Sequence, residues 1–423
     1  MSARSSFLST DLPMRHLRLR NDFPIAAADC QPVSCGDSLS SLSSTTLTDS
    51  ASSRSAAPFQ APSMTSSRVQ RIHSGSNRFA FLPAVFGAAV AMLLASPASA
   101  QLYTTTATTT NWDAARWSTS QAGPFTSAWV SGSNTVFAPS STYTFNRLSS
   151  VSNGTTTFGN ITLGASSTIA FQTQAGQKFV SCGTGTNFTI GAGSLINFGA
   201  ITTVNPSAGT TAIFKNGAGT LSLVGGAYTG GFTLNDGLVV GLGNSAFGTG
   251  AMTVTGGVIS SNGNRAFGVS SLAVNGDFQV GSTFAGGGNS STGNISFASN
   301  VTLGGAGVRT ITIGGNGVET FSGAISGGSG LKFARTNDVT VGVISLTGAN
   351  TYGGNTEING STIQVSGNNS VLSTGTVTLT GADASQLKIN SGLTLANNFV
   401  IDSSAGQKLI TNYVSNAELT GNI

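Results

Sequence analysis

The chain has 423 residues, 57 of them glycine, with only 8% charged side chains and a formal net charge of +4. Most of that excess precedes residue 101, where 8 of the 18 Lys and Arg and 5 of the 14 Asp and Glu lie; the 10 basic and 9 acidic residues beyond it are too evenly balanced to argue for a nucleic-acid or anionic-membrane partner. His16, His73, Cys30 and Cys35 also lie before residue 101, so the remainder contains no histidine for a nucleophilic triad or zinc site and, with Cys182 alone, no internal disulfide.

In chain order, residues 1–63 are Ser-rich and mix Arg with Asp, which fits no signal-peptide design. Met64 instead opens an ordinary basic n-region, so the expectation is translation from Met64, with 1–63 an over-extended or disordered leader. Residues 64–100 then read as a signal peptide. Arg68, Arg71 and Arg78 precede the apolar run Phe79 to Ala95, and small residues at Ala98 and Ala100 place cleavage before Gln101. The run is short for a membrane anchor and carries Pro83 and Gly87, so no integral span is expected once it is removed.

Residues 101–200 hold every tryptophan, Trp112, Trp117 and Trp129, in one short segment. Three rings together could form a ligand platform of the carbohydrate-binding kind. They could equally close the open end of a stacked core, and the absence of a polar cluster beside them favours such a cap. Cys182, in an apolar alternating run, reads as a small buried residue rather than a reactive thiol.

Beyond the tryptophans, short segments alternate apolar with polar residues and are separated by glycine-rich turns, as in "GTLSLVGG", "RTITIGG" and "GTVTLTG". In "TEINGSTIQV" the alternation predicts strand, tight turn at Asn359-Gly360, and strand. Ile358, Ile363 and Val365, with Leu234 and Val239, should point inward. No window after residue 100 shows helical spacing. The segment from Leu221 aligns with that from Ile344, placing Tyr228 on Tyr352, Asn235 on Asn359 and Gly250 on Gly375. Repetition of strand-turn-strand units predicts an all-β parallel β-helix or β-solenoid of stacked short strands, each turn burying its apolar face on the next. "AELTGNI" at the end matches the lead-in "TFSGAI" of the second copy, so the given C-terminus is expected to lie partway into a further repeat, with residues 201–423 truncated there.

The order of these elements resembles the autotransporter-associated β-strand repeat, also called the passenger-associated transport repeat, of secreted bacterial proteins. "FKNGAGTLSLVGGAYTGG" is similar to its centre, "FSGAISGGSGLKF" to its lead-in and "LTGANTYGGNTEING" to its end, while "ARTNDVTVGV" departs from its glycine-rich link. The tryptophan segment resembles the opening that precedes such repeats. The resemblance implies a right-handed parallel β-helix exported as a passenger.

The chemistry open to such a chain is narrow. A carboxylate pair could cleave glycosides, or carboxylates with Ca²⁺ could support a polysaccharide lyase. Glu319, Asp338 and Glu357 recur at 19-residue intervals, as do Asp383 and Asp402, and turns of that length would stack them as a ladder. The acids are few and the G-G-x-G-x-D repeats of a Ca²⁺-binding roll are missing, so neither cofactor nor metal is expected. The sequence therefore favours a non-enzymatic, adhesin-like scaffold, secreted or at the cell surface, with surface glycans or extracellular proteins as partners. A lyase or glycoside hydrolase on the same fold, or a carbohydrate-binding module, is the alternative.

Overall fold

The computed structural model describes residues 101–104, 111–130, 133–145, 155–171, 178–181, 185–198, 212–225, 228–281, 293–336, 342–390, 392–413 and 416–423. Ala98, Ala100, Cys182, Asp338 and the whole of 1–100 lie outside them. The described residues form a β-solenoid with no helix. Three long sheets run along it. The first, 11-stranded, extends from Trp117–Ser118 and Gln101–Thr104 to Ile325–Gly327; the second, 12-stranded, from Thr142–Phe145 to Phe399–Ile401; the third, 7-stranded, from Arg265–Phe267 to Lys408–Asn412. Among the described residues strand pairing is parallel except at Trp117–Ser118, which runs against Gln101–Thr104 and makes an antiparallel bridge to Ser127.

Alternation in the sequence becomes alternation between inside and outside. Thr362–Val365 shows it directly: Ile363 and Val365 are buried while Thr362 and Gln364 are only half-buried. Leu234, Val239, Ile358, Ile363 and Val365 are all fully buried. Each stands opposite the same position in the next turn, so that Ile344, Ile363 and Leu387 form one inward column and Leu346, Val365 and Ile389 its neighbour. A fully buried side chain of this size contributes roughly 1.5–3 kcal/mol, and the columns repeat that gain turn after turn. Aromatic rings stack in the same way, with Phe145 to Phe171 at 5.5 Å and Phe171 to Phe198 at 5.0 Å near the start. Further along, Phe247, Phe267, Phe297 and Phe321 succeed one another at 4.5, 5.6 and 5.6 Å.

Asparagines form a second kind of column at an outer corner of the first sheet. Asn187 donates from Nδ2 to Asn160 Oδ1 at 2.9 Å, Asn216 to Asn187 Oδ1 at 3.2 Å, and Asn235 to Asn216 Oδ1 at 2.8 Å. Thr255 closes the series with a hydroxyl bond to Asn235 Oδ1 at 2.8 Å. Parallel stacking makes this possible because it brings the amides of successive turns within reach, although Asn216 stands opposite Thr189 and reaches Asn187 diagonally, two residues out of register.

The third sheet begins only at Arg265–Phe267. In the turn before it, that side is occupied by the segment around Asn244, whose backbone oxygen accepts the Gly268 N–H. Late in the chain the first side changes in turn: after Ile325–Gly327 its place is taken by the irregular segment around Thr351 and Gly353, whose N–H groups bond to Ile325 and Gly327. The two aligned sequence copies consequently occupy different sheets. Leu234 lies in the first, opposite Lys215 and Val254, whereas its counterpart Ile358 lies in the second, opposite Phe333 and Leu379.

Candidate functional site

The three tryptophans close the first turn. Trp112 and Trp117 are fully buried, their ring centroids 4.9 Å apart, and Trp129 packs at 5.3 and 5.0 Å from them. Trp112 also lies 4.8 Å from both Phe145 and Phe158, the aromatic rings of the first turns. Trp117 Nε1 donates to Trp112 O at 2.7 Å, which holds the loop shut. Arg116 lies over the Phe145 ring at 5.2 Å and donates from Nε to Thr104 Oγ1 at 3.0 Å. Burial lowers its pKa, with Tyr143 acting in the opposite sense. Trp112 and Trp117, enclosed in this way, offer no open face to a sugar and cover the ends of the apolar columns, while Trp129 is only partly buried against them.

The paired repeat residues serve the turns. Tyr228 and Tyr352 are both buried; the first donates to Ala246 O at 3.2 Å and the second shares a 2.5 Å hydrogen bond with Thr356 Oγ1. Burial raises the phenol pKa of each, that of Tyr352 to about 12 with the Thr356 bond opposing. Gly250 and Gly375 mark close backbone approaches between successive turns. A Cβ would sit 2.3 Å from Thr229 O in one case and 2.3 Å from Gly354 O in the other. Asn235 belongs to the amide column, whereas Asn359 donates from Nδ2 to Glu357 Oε1 at 3.0 Å. Gln101 opens the first strand and donates to the Tyr103 hydroxyl at 2.9 Å.

The 19-residue spacing of acids does not become a ladder. Turn lengths vary, and the register sets Glu319 opposite Ile344 and Glu357 opposite Lys332 and Thr378. Glu357 instead pairs with Lys332 Nζ at 2.9 Å, and Asp383 approaches Arg335 at 3.8 Å. Burial tends to raise the Glu357 pKa, but Asn359 and Lys332 outweigh it and lower the value. Asp402 is held low by hydrogen bonds from Ser404 and Thr380. Among the described residues no group of three or more His, Cys, Asp or Glu is placed to hold a metal ion, and no helix is long and apolar enough to cross a membrane.

Two ionisable side chains point inward where the sequence reading had named no interior charge. Lys215 is fully buried, its ammonium held by the carbonyls of Asn216 at 3.1 Å, Gly217 at 2.5 Å and Asp236 at 2.9 Å. Burial pulls its pKa down to about 8, Asp236 opposing. Glu319, 1% exposed, accepts the Ile295 N–H at 2.9 Å through Oε2. Its Oε1 has no partner among the described residues, and burial pushes the carboxyl up to about 8 despite the Ile295 bond. Parity was the available signal, since Lys215 shares the inward face of its strand with Ile213 and Glu319 that of its strand with Phe321.

Polar clefts occur along the corners. One of about 390 Å³ is lined by Asn369, Ser370, Ser373, Thr374, Thr394 and Asn397 and contains no charged group. Its Asn397 is itself consumed by the turns, donating to Leu372, Ser373 and Gly375 carbonyls. Compared with protein-family models, with curated proteins and with solved structures, the chain matches none of them.

Proposed function

We propose that the chain is a non-enzymatic, exported or cell-surface scaffold of the autotransporter-associated β-strand repeat type, which displays weak, repeated contacts to glycans or extracellular proteins. The observation that carries this reading is the outward face of the first sheet. Thr162 stands opposite Thr189, and Thr233, Thr253, Ala273, Thr302 and Ser326 follow one another in register. A flat row of small uncharged groups at strand spacing suits many identical shallow contacts, whose affinities combine by multivalency. Glu357, Asp383 and Asp402 are engaged with lysine, arginine or hydroxyl partners and Glu319 is buried away from them, an arrangement that supports a binding role over hydrolysis or elimination.

The test is a glycan and protein binding array probed with the purified chain, alongside an assay for reducing or unsaturated ends released from a polysaccharide panel. Array binding without release is the expected result. Catalytic release of sugar ends would overturn the scaffold reading in favour of an enzyme. Export is tested separately by sequencing the N-terminus of the secreted protein, which should begin at Gln101.

A further inference from the structure

We propose that the cleft where the third sheet begins, lined by Asn244, Asn264, Arg265, Ala266, Asn294 and Ser296, binds the carboxylate groups of an acidic oligosaccharide. This rests on the scaffold reading above and names a ligand class for one place on it.

Asn244 Oδ1 accepts the Ala266 N–H at 3.2 Å, Asn264 Oδ1 accepts the Asn294 N–H at 2.9 Å, and Asn294 Oδ1 accepts the Val318 N–H at 2.8 Å. The same arrangement of asparagines, with Oδ1 taken by a backbone N–H of the next turn, recurs at Asn300, Asn355 and Asn369, and what sets this cleft apart is that Arg265 stands among them. Backbone donors thus consume the carboxamide oxygens and fix which end of each amide is oxygen. The Nδ2 groups have no partner among the described residues. In the other asparagine column the Nδ2 groups are used, because Asn187, Asn216 and Asn235 each donate to the preceding amide oxygen even though the Asn187 N–H also bonds Asn160 Oδ1. The cleft therefore carries a surplus of donors.

Arg265 adds charge to that surplus. Its Nη1 donates to Asn264 O at 3.0 Å and its Nη2 to Asn262 Oδ1 at 2.6 Å, which hold the guanidinium in place. Its Nε is buried and without a partner, each Nη keeps a second N–H beyond these bonds, and no carboxylate among the described residues pairs with the guanidinium. A held guanidinium beside free amide donors matches a carboxylate, which accepts through both oxygens. The cleft has about 280 Å³, and successive strands place the asparagines ~4.8 Å apart. A lone small anion would leave most of the donors unmet. A chain of sugar units bearing carboxylates, hydroxyls and ring oxygens supplies acceptors along the row, and the Ser296 hydroxyl can give or take a bond with them. The larger corner cleft around Asn369 contains no such charge and serves as the internal contrast.

The experiment is calorimetric titration of the full chain with three probes: a uronic acid tetrasaccharide, a neutral tetrasaccharide of the same length, and sodium sulfate. The uronic acid probe should bind at least tenfold more tightly than the neutral one, and sulfate should compete only weakly. Arg265→Gln should weaken uronate binding tenfold or more. Ser296→Glu, at a half-buried outward position, should abolish it while the circular dichroism spectrum and melting temperature stay as in the unsubstituted chain. Equal affinity for the neutral and acidic sugars, sulfate binding as tight as uronate, or unchanged binding by both folded variants would each overturn the proposal. Array binding to other glycans with no uronate binding would sink this site alone and leave the scaffold reading standing. Cleavage of the probe would sink the scaffold reading.

Discussion

Leu234 stands directly opposite Lys215 in the inward face of the first sheet, so an apolar column of the core includes a charged side chain. The ammonium avoids the apolar interior by folding onto turn carbonyls of its own and the following turn, at Gly217 and Asp236. Glu319 occupies the corresponding kind of position in the third sheet, between Ile295 and Ile344, with one oxygen unpartnered.

These two groups predict opposite slopes of stability against pH. The folded Glu319 titrates at about 8 against about 4.5 in the unfolded chain. It therefore holds its proton more tightly when folded, and its contribution, full below about 4.5, is lost as pH rises to about 8. Lys215 titrates at about 8 when folded and about 10.5 when unfolded, so between those values the unfolded chain binds more protons and stability rises with pH. Urea unfolding from pH 4 to 11 should show a minimum near pH 8. Glu319→Gln keeps an oxygen for the Ile295 N–H and should flatten the acid-side slope only. If that variant follows the same falling curve, the buried carboxyl is not its cause.

Gly237→Ala should destabilise by about 2 kcal/mol or more through strain and collision together. Gly237 has φ +76°, and an added Cβ would meet Gly217 O at 2.3 Å and Lys215 Nζ at 2.6 Å. The alanine would thus press on the carbonyl cage that holds the buried ammonium. Gly263→Ala, where nothing lies within 4 Å of the added carbon, is the control and should change the unfolding midpoint little. Similar losses at both positions would show that the cage is not involved.

Local alternation was legible in the sequence because it needs only extended backbone and one buried face, and Ile358, Ile363 and Val365 follow it. That the strands stack was legible from the repeat, but the register of the stacking was not, because it depends on the length of the turns between strands. Val343 meets Thr362 across a short turn, while Val274 meets Leu303 only after a much longer one, so no fixed spacing could place Glu319 over Glu357. Pairing Tyr228 with Tyr352 found two side chains with the same buried setting, yet it could not tell that the surrounding strands lie on different sheets. The donor surplus around Arg265 depends on which end of each amide the backbone consumes, which no sequence pattern records.

Ile363→Asp should cost several kcal/mol, because it replaces a fully buried side chain between Ile344 and Leu387 with an unpaired charge. Glu357→Gln removes only the half-exposed contact with Lys332 and should change stability by less than about 1 kcal/mol. Thermal unfolding of both variants checks the pair. An aspartate variant that melts like the unsubstituted chain would contradict the inward column.

The asparagine column predicts coupling between turns. Asn216 accepts from Asn235 and donates to Asn187, so Asn216→Ala removes both bonds and leaves each neighbour to water. Because the corner is partly exposed, solvent replaces much of what is lost, and the expected cost is about 1 kcal/mol rather than the full penalty of buried unsatisfied groups. Asn216→Asp keeps an oxygen for Asn235 but cannot donate to Asn187, so it should recover part of that loss. The decisive measurement is a double-mutant cycle by urea unfolding with Asn187→Ala and Asn216→Ala. If the amides support one another along the column, the double variant should lose less than the sum of the single ones by about 0.5 kcal/mol or more. Strict additivity would mean that each amide is held by its own backbone alone, and that the column is a consequence of parallel stacking which adds nothing to it.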